Sequence, residues 1–327
     1  MITTSDLLKI PFTRDLTKGG IAYALRSLPY TYNRVGVSPY DRLRRIVAGA
    51  AVELAFRRYL SEQNIPFDVK GATPFTDPDR YDVALGGRRC GIKSFFISHR
   101  GQALEMKRNP QVVLDTPALV PSDQNAADGH SDKDIYLFAF LSGLVAASQD
   151  DLQKAMYKKQ PYHLVQVMPD AWMRPSRWNP LGALVLKSES AEKQFIELGG
   201  QDERREMRSL EVELPPNTRV QIDDGFFSVA YIQSKCLPGA RIGIHSPVRD
   251  ETHIINAMDW GNIWVYGMDI LLAGWLTRGE FNQRATPIQE GARDFQYNRT
   301  RTKNLAVPMH ELKPISDLLE RAKDWSK

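Results

Sequence analysis

Residues 40–63 carry a helical pattern that leads directly into a closely spaced set of strands. This order limits the fold more than any other feature of the chain. Leu43, Ile46, Val47, Ala50 and Leu54 recur at the spacing of one helix face. Ser38-Pro39 before them and Asn64-Ile65-Pro66 after them supply the breaks. Residues 66–70 (PFDVK) then read as a strand and 73–79 as turn-rich. Residues 81–85 (YDVAL) alternate, with Tyr81, Val83 and Leu85 on one side, and Gly86-Gly87 makes a hairpin turn. Residues 90–97 (CGIKSFFI) return as the next strand. Further strands are expected at 111–114, 134–141 and 162–168, with a helix over 149–159. The order predicts an α/β domain over 1–168, with a mixed central sheet flanked by helices.

Residues 169–180 (PDAWMRPSRWNP) hold three prolines and two tryptophans and read as a linker. Residues 181–327 read as β-rich, with strands at 183–187, 210–214, 226–235, 241–245 and 262–268 and a helix near 309–323. This half is expected to form either a second domain or an extension of the first sheet.

Composition narrows the class. The chain has 327 residues, 42% of them hydrophobic and 25% charged, which suits a soluble globular protein and excludes extensive disorder. The longest apolar run, residues 135–148 (IYLFAFLSGLVAAS), falls short of the roughly 20 residues a bilayer-spanning helix needs. No membrane association is expected. The first fifteen residues include acids and lack an apolar block, unlike a signal peptide. The two cysteines, Cys90 and Cys236, argue against a disulfide framework and a structural zinc site, and read as small buried groups. A cytoplasmic location is expected.

Formal net charge is only +4, but residues 1–60 hold 10 basic and 4 acidic side chains, a local net of +6. Arg42, Arg44, Arg45, Arg57 and Arg58 lie close together there, and Arg299, Arg301 and Lys303 form a second basic run. Such clusters suit phosphate neutralisation, and equally a solvated surface.

The chemistry-bearing residues are Glu53, Asp82 and Lys93. Asp82 and Lys93 are placed side by side across the hairpin, residues 91 and 93 share a strand face, and Glu53 sits at the edge of the apolar helix face. A carboxylate pair with a lysine suits metal-dependent phosphodiester hydrolysis. The acids hold Mg²⁺, the metal activates a water, and the lysine contributes a compact positive charge. A cross-strand ion pair for Asp82–Lys93, and a pair from Glu53 to Arg57 one turn on, remain open.

A helix Glu, then Tyr81-Asp82, then a strand with Ile92-Lys93-Ser94 resembles the PD-(D/E)XK, or restriction-endonuclease-like, superfamily. The resemblance covers about residues 40–145. It extends more loosely to Gly274–Thr277, Glu280-Phe281, Leu305–Pro308 and Glu311-Leu312. It implies a metal-dependent DNA endonuclease of restriction or defence type. Asp82, Glu53, the Ile92 carbonyl and position 91 would lie at Mg²⁺, with Mn²⁺ able to substitute. Lys93, Asp82 and Glu53 would be catalytic, DNA the partner and a homodimer the form that cuts both strands. The second acid of the pattern should stand at 91, where this chain has Gly91. Three explanations stand side by side: Glu53 substitutes from the helix, the protein is a nuclease relic that binds without cutting, or the acid has been removed to block catalysis. A catalytically inactive module that binds nucleic acid or a protein is therefore the alternative function.

Other chemistries have weaker support. There is no G-x-x-x-x-G-K-[ST] loop, no G-x-S-x-G elbow and no G-x-G-x-x-G after a strand, and the six histidines are scattered. Asp123, Asp128, Asp132 and Asp134 form an acidic stretch without EF-hand spacing. Trp172, Trp178, Trp260, Trp264 and Trp275 suit core positions better than base stacking.

Overall fold

A computed structural model describes residues 1–31, 37–69, 82–127 and 129–325. Lys70, the expected turn at 73–79, Tyr81 and Asp128 lie outside these residues. Along the chain come β1 (Leu8–Pro11), α1 (Arg14–Ser27), α2 (Pro39–Glu62), the hairpin of β2 (Val83–Leu85) and β3 (Arg88–Ile97), and α3 (Arg100–Arg108). Then follow α4 (Gln111–Leu114), β4 (Pro117–Pro121), α5 (Ser122–Asn125) and β5 (Ile135–Val145). The middle of the chain holds α6 (Gln149–Tyr157), β6 (Leu164–Val167), α7 (Asp170–Met173), β7 (Leu184–Ser188), β8 (Gln194–Gln201) and β9 (Met207–Leu214). It continues with β10 (Arg219–Ile222), β11 (Ser228–Ser234), β12 (Ile242–Ser246), β13 (Glu251–Ile255) and β14 (Gly261–Asn262). The last part holds β15 (Val265–Thr277), α8 (Arg278–Arg284), β16 (Thr286–Ile288), β17 (Asn304–Pro308) and α9 (Ile315–Trp325).

The expected α/β class is observed, with a mixed sheet carrying helices. Its strand order is β1-β15-β5-β3-β2; β3 and β5 run parallel and the other neighbours antiparallel. β5 explains the long apolar run. Its odd residues Leu137, Ala139 and Leu141 enter a core shared with α1, α2 and α9. Its even residues Tyr136, Phe138 and Phe140 enter a second core with Phe95, Phe281 and Met309. A strand buried on both faces loses polar alternation and reads as continuous hydrophobics.

Helix α2 forms as its sequence predicts. Ser38 caps it by accepting from Asp41 N at 3.1 Å, and Pro39 presets the first turn. Ala48, Ala51 and Ala55 let it pack closely, while Leu43, Val47, Val52 and Phe56 are fully buried. The hairpin turn also holds: Gly86 and Gly87 take φ of +52° and +74°, a region costly for residues with a Cβ.

The β-rich layers begin at β6, just before residue 168. β6 belongs to a second sheet, β14-β6-β11-β8-β9. This sheet and a third, β10-β7-β12-β13, share one core that includes Leu164, Leu186, Leu198, Ile232 and Ile244. The β-rich layers therefore occupy the stretch between β5 and β15, which are adjacent strands of the first sheet. The expected linker carries α7, whose Trp172 is fully buried in that core.

Two smaller expectations are corrected. Residues 111–114 form the short helix α4 rather than a strand; Pro110 turns the chain there and Val113 and Leu114 fill the second core. Cys90 is buried as expected, whereas Cys236 is exposed. Trp172, Trp260, Trp264 and Trp275 are buried in cores, and Trp178 lies half-buried under Arg205. Among the described residues, no helix is long and apolar enough to cross a membrane.

Candidate functional site

The hairpin register brings Asp82 and Lys93 together. Val83 pairs with Cys90, so Asp82 lies opposite Gly91, on the strand face that also carries Lys93. Asp82 N donates to Cys90 O at 3.3 Å, and its Oδ2 accepts from Ile92 N at 2.5 Å. The Ile92 main chain thus sits against the carboxylate, while its side chain packs on the first core. Lys93 Nζ donates to Gln124 Oε1 at 3.0 Å and lies 5.3 Å from the Tyr136 ring centre.

Burial disfavours both charges. It raises the Asp82 pKa, against the opposing pull of the Ile92 N–H, Lys93 and Arg57. It lowers the Lys93 pKa, against the attraction of Asp82. The two directions agree: a partly desolvated acid and base hold each other's charge.

Gly91 leaves room for a Cβ beside this pair. A Cβ there would meet Lys93 Nζ at 3.8 Å, Tyr136 Cδ1 at 3.9 Å and Ile135 O at 4.0 Å, all ordinary contacts. A Cβ at 91 would fit without displacing the backbone.

Glu53 is engaged elsewhere. Arg57 Nη2 donates to its carboxylate and, at 2.9 Å, to the Asp82 carbonyl. Arg57 thereby bridges helix and hairpin. Its Nε is buried without a hydrogen-bond partner among the described residues. Among those residues no group of three His, Cys, Asp or Glu side chains is placed to hold a metal.

Most of the front arginines serve the fold. Arg44 is 5% exposed, donates from Nε to Asn262 O at 3.0 Å and pairs with Asp41 at 2.9 Å. Arg42 donates to Thr31 O at 2.6 Å. Arg58 ties α2 to Thr13 at 2.9 Å and to Asp15. Arg45 is exposed. Arg299, Arg301 and Lys303 are exposed and alternate with more buried neighbours such as Thr300 and Asn304. Lys303 O accepts from Ser122 N at 3.0 Å, which places this basic strip beside the helix carrying Gln124.

Sequence reasoning missed Gln124, Tyr136 and the frame behind them. Tyr136 OH donates to Asn125 Oδ1 at 2.9 Å, Asn125 Nδ2 donates to Asn282 Oδ1 at 2.9 Å, and Arg278 Nη2 donates to Asn125 O at 2.6 Å. Tyr136 lay hidden in an apolar strand and Gln124 in a polar loop. Neither carries a local signal.

Comparison of the chain with protein-family models, curated proteins and solved structures finds no match.

Proposed function

We propose that this chain is a metal-dependent DNA endonuclease of restriction or defence type, with its hydrolytic centre at Asp82, Lys93 and position 91. One observation carries the reading: Asp82 and Lys93 lie on one strand face in electrostatic contact, with the Ile92 main chain against the carboxylate. A helix, a hairpin and a parallel strand frame them in the order that the PD-(D/E)XK resemblance implies.

Asp82 and the Ile92 carbonyl would hold Mg²⁺, with Mn²⁺ as substitute; bound there, the metal acidifies a water and offsets charge on the phosphoryl group. Lys93, positioned by Gln124 and Tyr136, orients the nucleophile or the scissile phosphate. Arg299, Arg301 and Lys303 supply exposed positive charge for the DNA backbone. Cutting of both strands calls for a homodimer, and the reading carries a cytoplasmic location.

With Gly91 in place the centre is one carboxylate short, so cleavage by this chain is weak and Gly91→Asp raises it. A second reading, a nuclease-like module that binds without cutting, is favoured by the engagement of Glu53 with Arg57. The test is cleavage of supercoiled plasmid and of single-stranded DNA in Mg²⁺ and Mn²⁺. Gain of cutting in Gly91→Asp, lost again with Lys93→Ala, supports the enzyme. DNA binding without cutting by either version supports the module.

A further inference from the structure

The third sheet turns one face to the shared core and leaves the other in solvent. Two cross-strand rows lie on the solvent face: Arg219–Lys187–Gly243–Ile254 and Gln221–Val185–His245–Thr252. A depression of about 450 Å³ opens over them. That is within the size range of small-molecule sites, roughly 300–1,000 Å³.

Two features distinguish it from an ordinary solvated sheet face. The first is charge. Arg219 and Lys187 stand directly opposite each other in an antiparallel pair, where like charges weaken a sheet. Neither has an ion-pair partner among the described residues. The adjacent acid, Glu189, is occupied: Arg241 grips it in a two-point bond of 2.8 and 2.9 Å and, with Lys187, holds its carboxyl below the usual range. With Arg219, Lys187 and Arg241 set against Glu189, the rim keeps an excess of positive charge.

The second feature is the floor. Gly243 sits mid-strand, where glycine weakens a sheet and often marks the close approach of a ligand. A Cβ built on it meets no atom within 4 Å, so packing does not demand a glycine there. A larger side chain there would project into the depression. Val185 and the half-exposed Ile254 give the floor an apolar flank, and His245 Nδ1 with Thr252 Oγ1, 3.0 Å apart, forms a polar edge.

We propose that this depression binds a phosphate monoester on a nucleotide-sized body. Lys187 and Arg219 take the phosphate, whose negative charge matches the positive excess at the rim, and Arg219 can grip it through two donors. Val185 and Ile254 support the apolar face of the attached group. A free mononucleotide and the 5′-phosphorylated end of a strand carry the same chemistry.

The test is calorimetric titration of the full chain, without divalent metal, so that cleavage plays no part and the nuclease reading stands or falls separately. The probes are AMP, adenosine, and an eight-nucleotide strand with and without a 5′-phosphate. Binding of AMP at least tenfold tighter than adenosine identifies a free nucleotide as the carrier. A tenfold preference for the phosphorylated strand without AMP binding identifies a strand end. In either case Lys187→Ala with Arg219→Ala weakens binding at least tenfold. Gly243→Val, which adds its side chain into open space, abolishes binding while leaving the melting temperature in place. Failure of every probe to bind, indifference to the phosphate, or undiminished binding by a folded Gly243→Val overturns the proposal.

Discussion

Gly91 stands directly opposite Tyr136 in the parallel pair of β3 and β5, and a Cβ on it would lie 3.9 Å from the Tyr136 ring. Among the described residues it would also lie 3.8 Å from Lys93 Nζ and 4.0 Å from Ile135 O. Position 91 is thus a gap in a framed site rather than a glycine demanded by packing. Gly91→Ala is therefore expected to fold with a stability change within about 1 kcal/mol, since its Cβ does not crowd the backbone, whereas Gly91→Asp sets a second carboxylate opposite Asp82 and is expected to lose more in the absence of metal. Urea denaturation of both variants checks this; a loss of several kcal/mol in Gly91→Ala would mean that the gap is filled.

Glu53 is held by Arg57, which also reaches the Asp82 carbonyl. Glu53→Ala leaves a half-buried guanidinium without its acid, and a loss of about 1–3 kcal/mol is expected. Denaturation measures it. If Glu53 is instead a metal ligand, Glu53→Gln in the Gly91→Asp background lowers cleavage in proportion to metal affinity, with stability unchanged. The arrangement of Arg57 predicts the opposite pattern.

The two basic groups separate by role. Arg44→Ala removes a buried bond to Asn262 O and is expected to cost about 2–3 kcal/mol, most of it from that bond because Asp41 is exposed. Arg299→Ala, Arg301→Ala and Lys303→Ala together should leave stability in place and make DNA affinity less steeply salt-dependent, by about 2–3 in the log–log slope. Binding titrations across salt concentrations read this directly. An unchanged slope removes the strip from the interface.

His163 gives a pH signature. Burial lowers its pKa from 6.5 to about 4, and its Nε2 has no partner among the described residues. The unfolded chain takes up the proton first as pH falls. The stability contribution is therefore complete above pH 6.5 and is lost as pH drops from 6.5 towards 4. The full effect is about 3 kcal/mol at 1.36 kcal/mol per pKa unit. The difference in unfolding free energy between the chain and His163→Gln, followed from pH 7.5 to 4.5, should shrink through that window. A pH-independent difference would contradict it.

The parts of the fold legible in the sequence are those whose signal is local. Helix α2 announced itself through apolar spacing and a Ser-Pro start, and the hairpin through Gly86-Gly87. Asp82 and Lys93 came together because hairpin register follows from turn position. The return of β15 to β5 was not legible, because that pairing joins strands more than a hundred residues apart, as in Leu272 with Ala139. β10 and β13 escaped notice because exposed charged and polar residues such as Arg219 and Thr252 dominate their solvent sides. α4 was misread because two valines favour a strand, whereas Pro110 and the demand of the second core for Val113 and Leu114 favour a turn of helix. Gln124 gave no sign of itself in a polar loop; only the folded β3–α5 contact singles it out.

The most direct measurement is Mn²⁺ affinity by calorimetry in the chain, in Gly91→Asp, and in Gly91→Asp with Asp82→Asn. If Asp82 and position 91 belong to one metal centre, Gly91→Asp binds at least tenfold tighter than the chain, and Asp82→Asn returns it to the starting affinity. Equal affinity in all three would contradict a metal centre at this site.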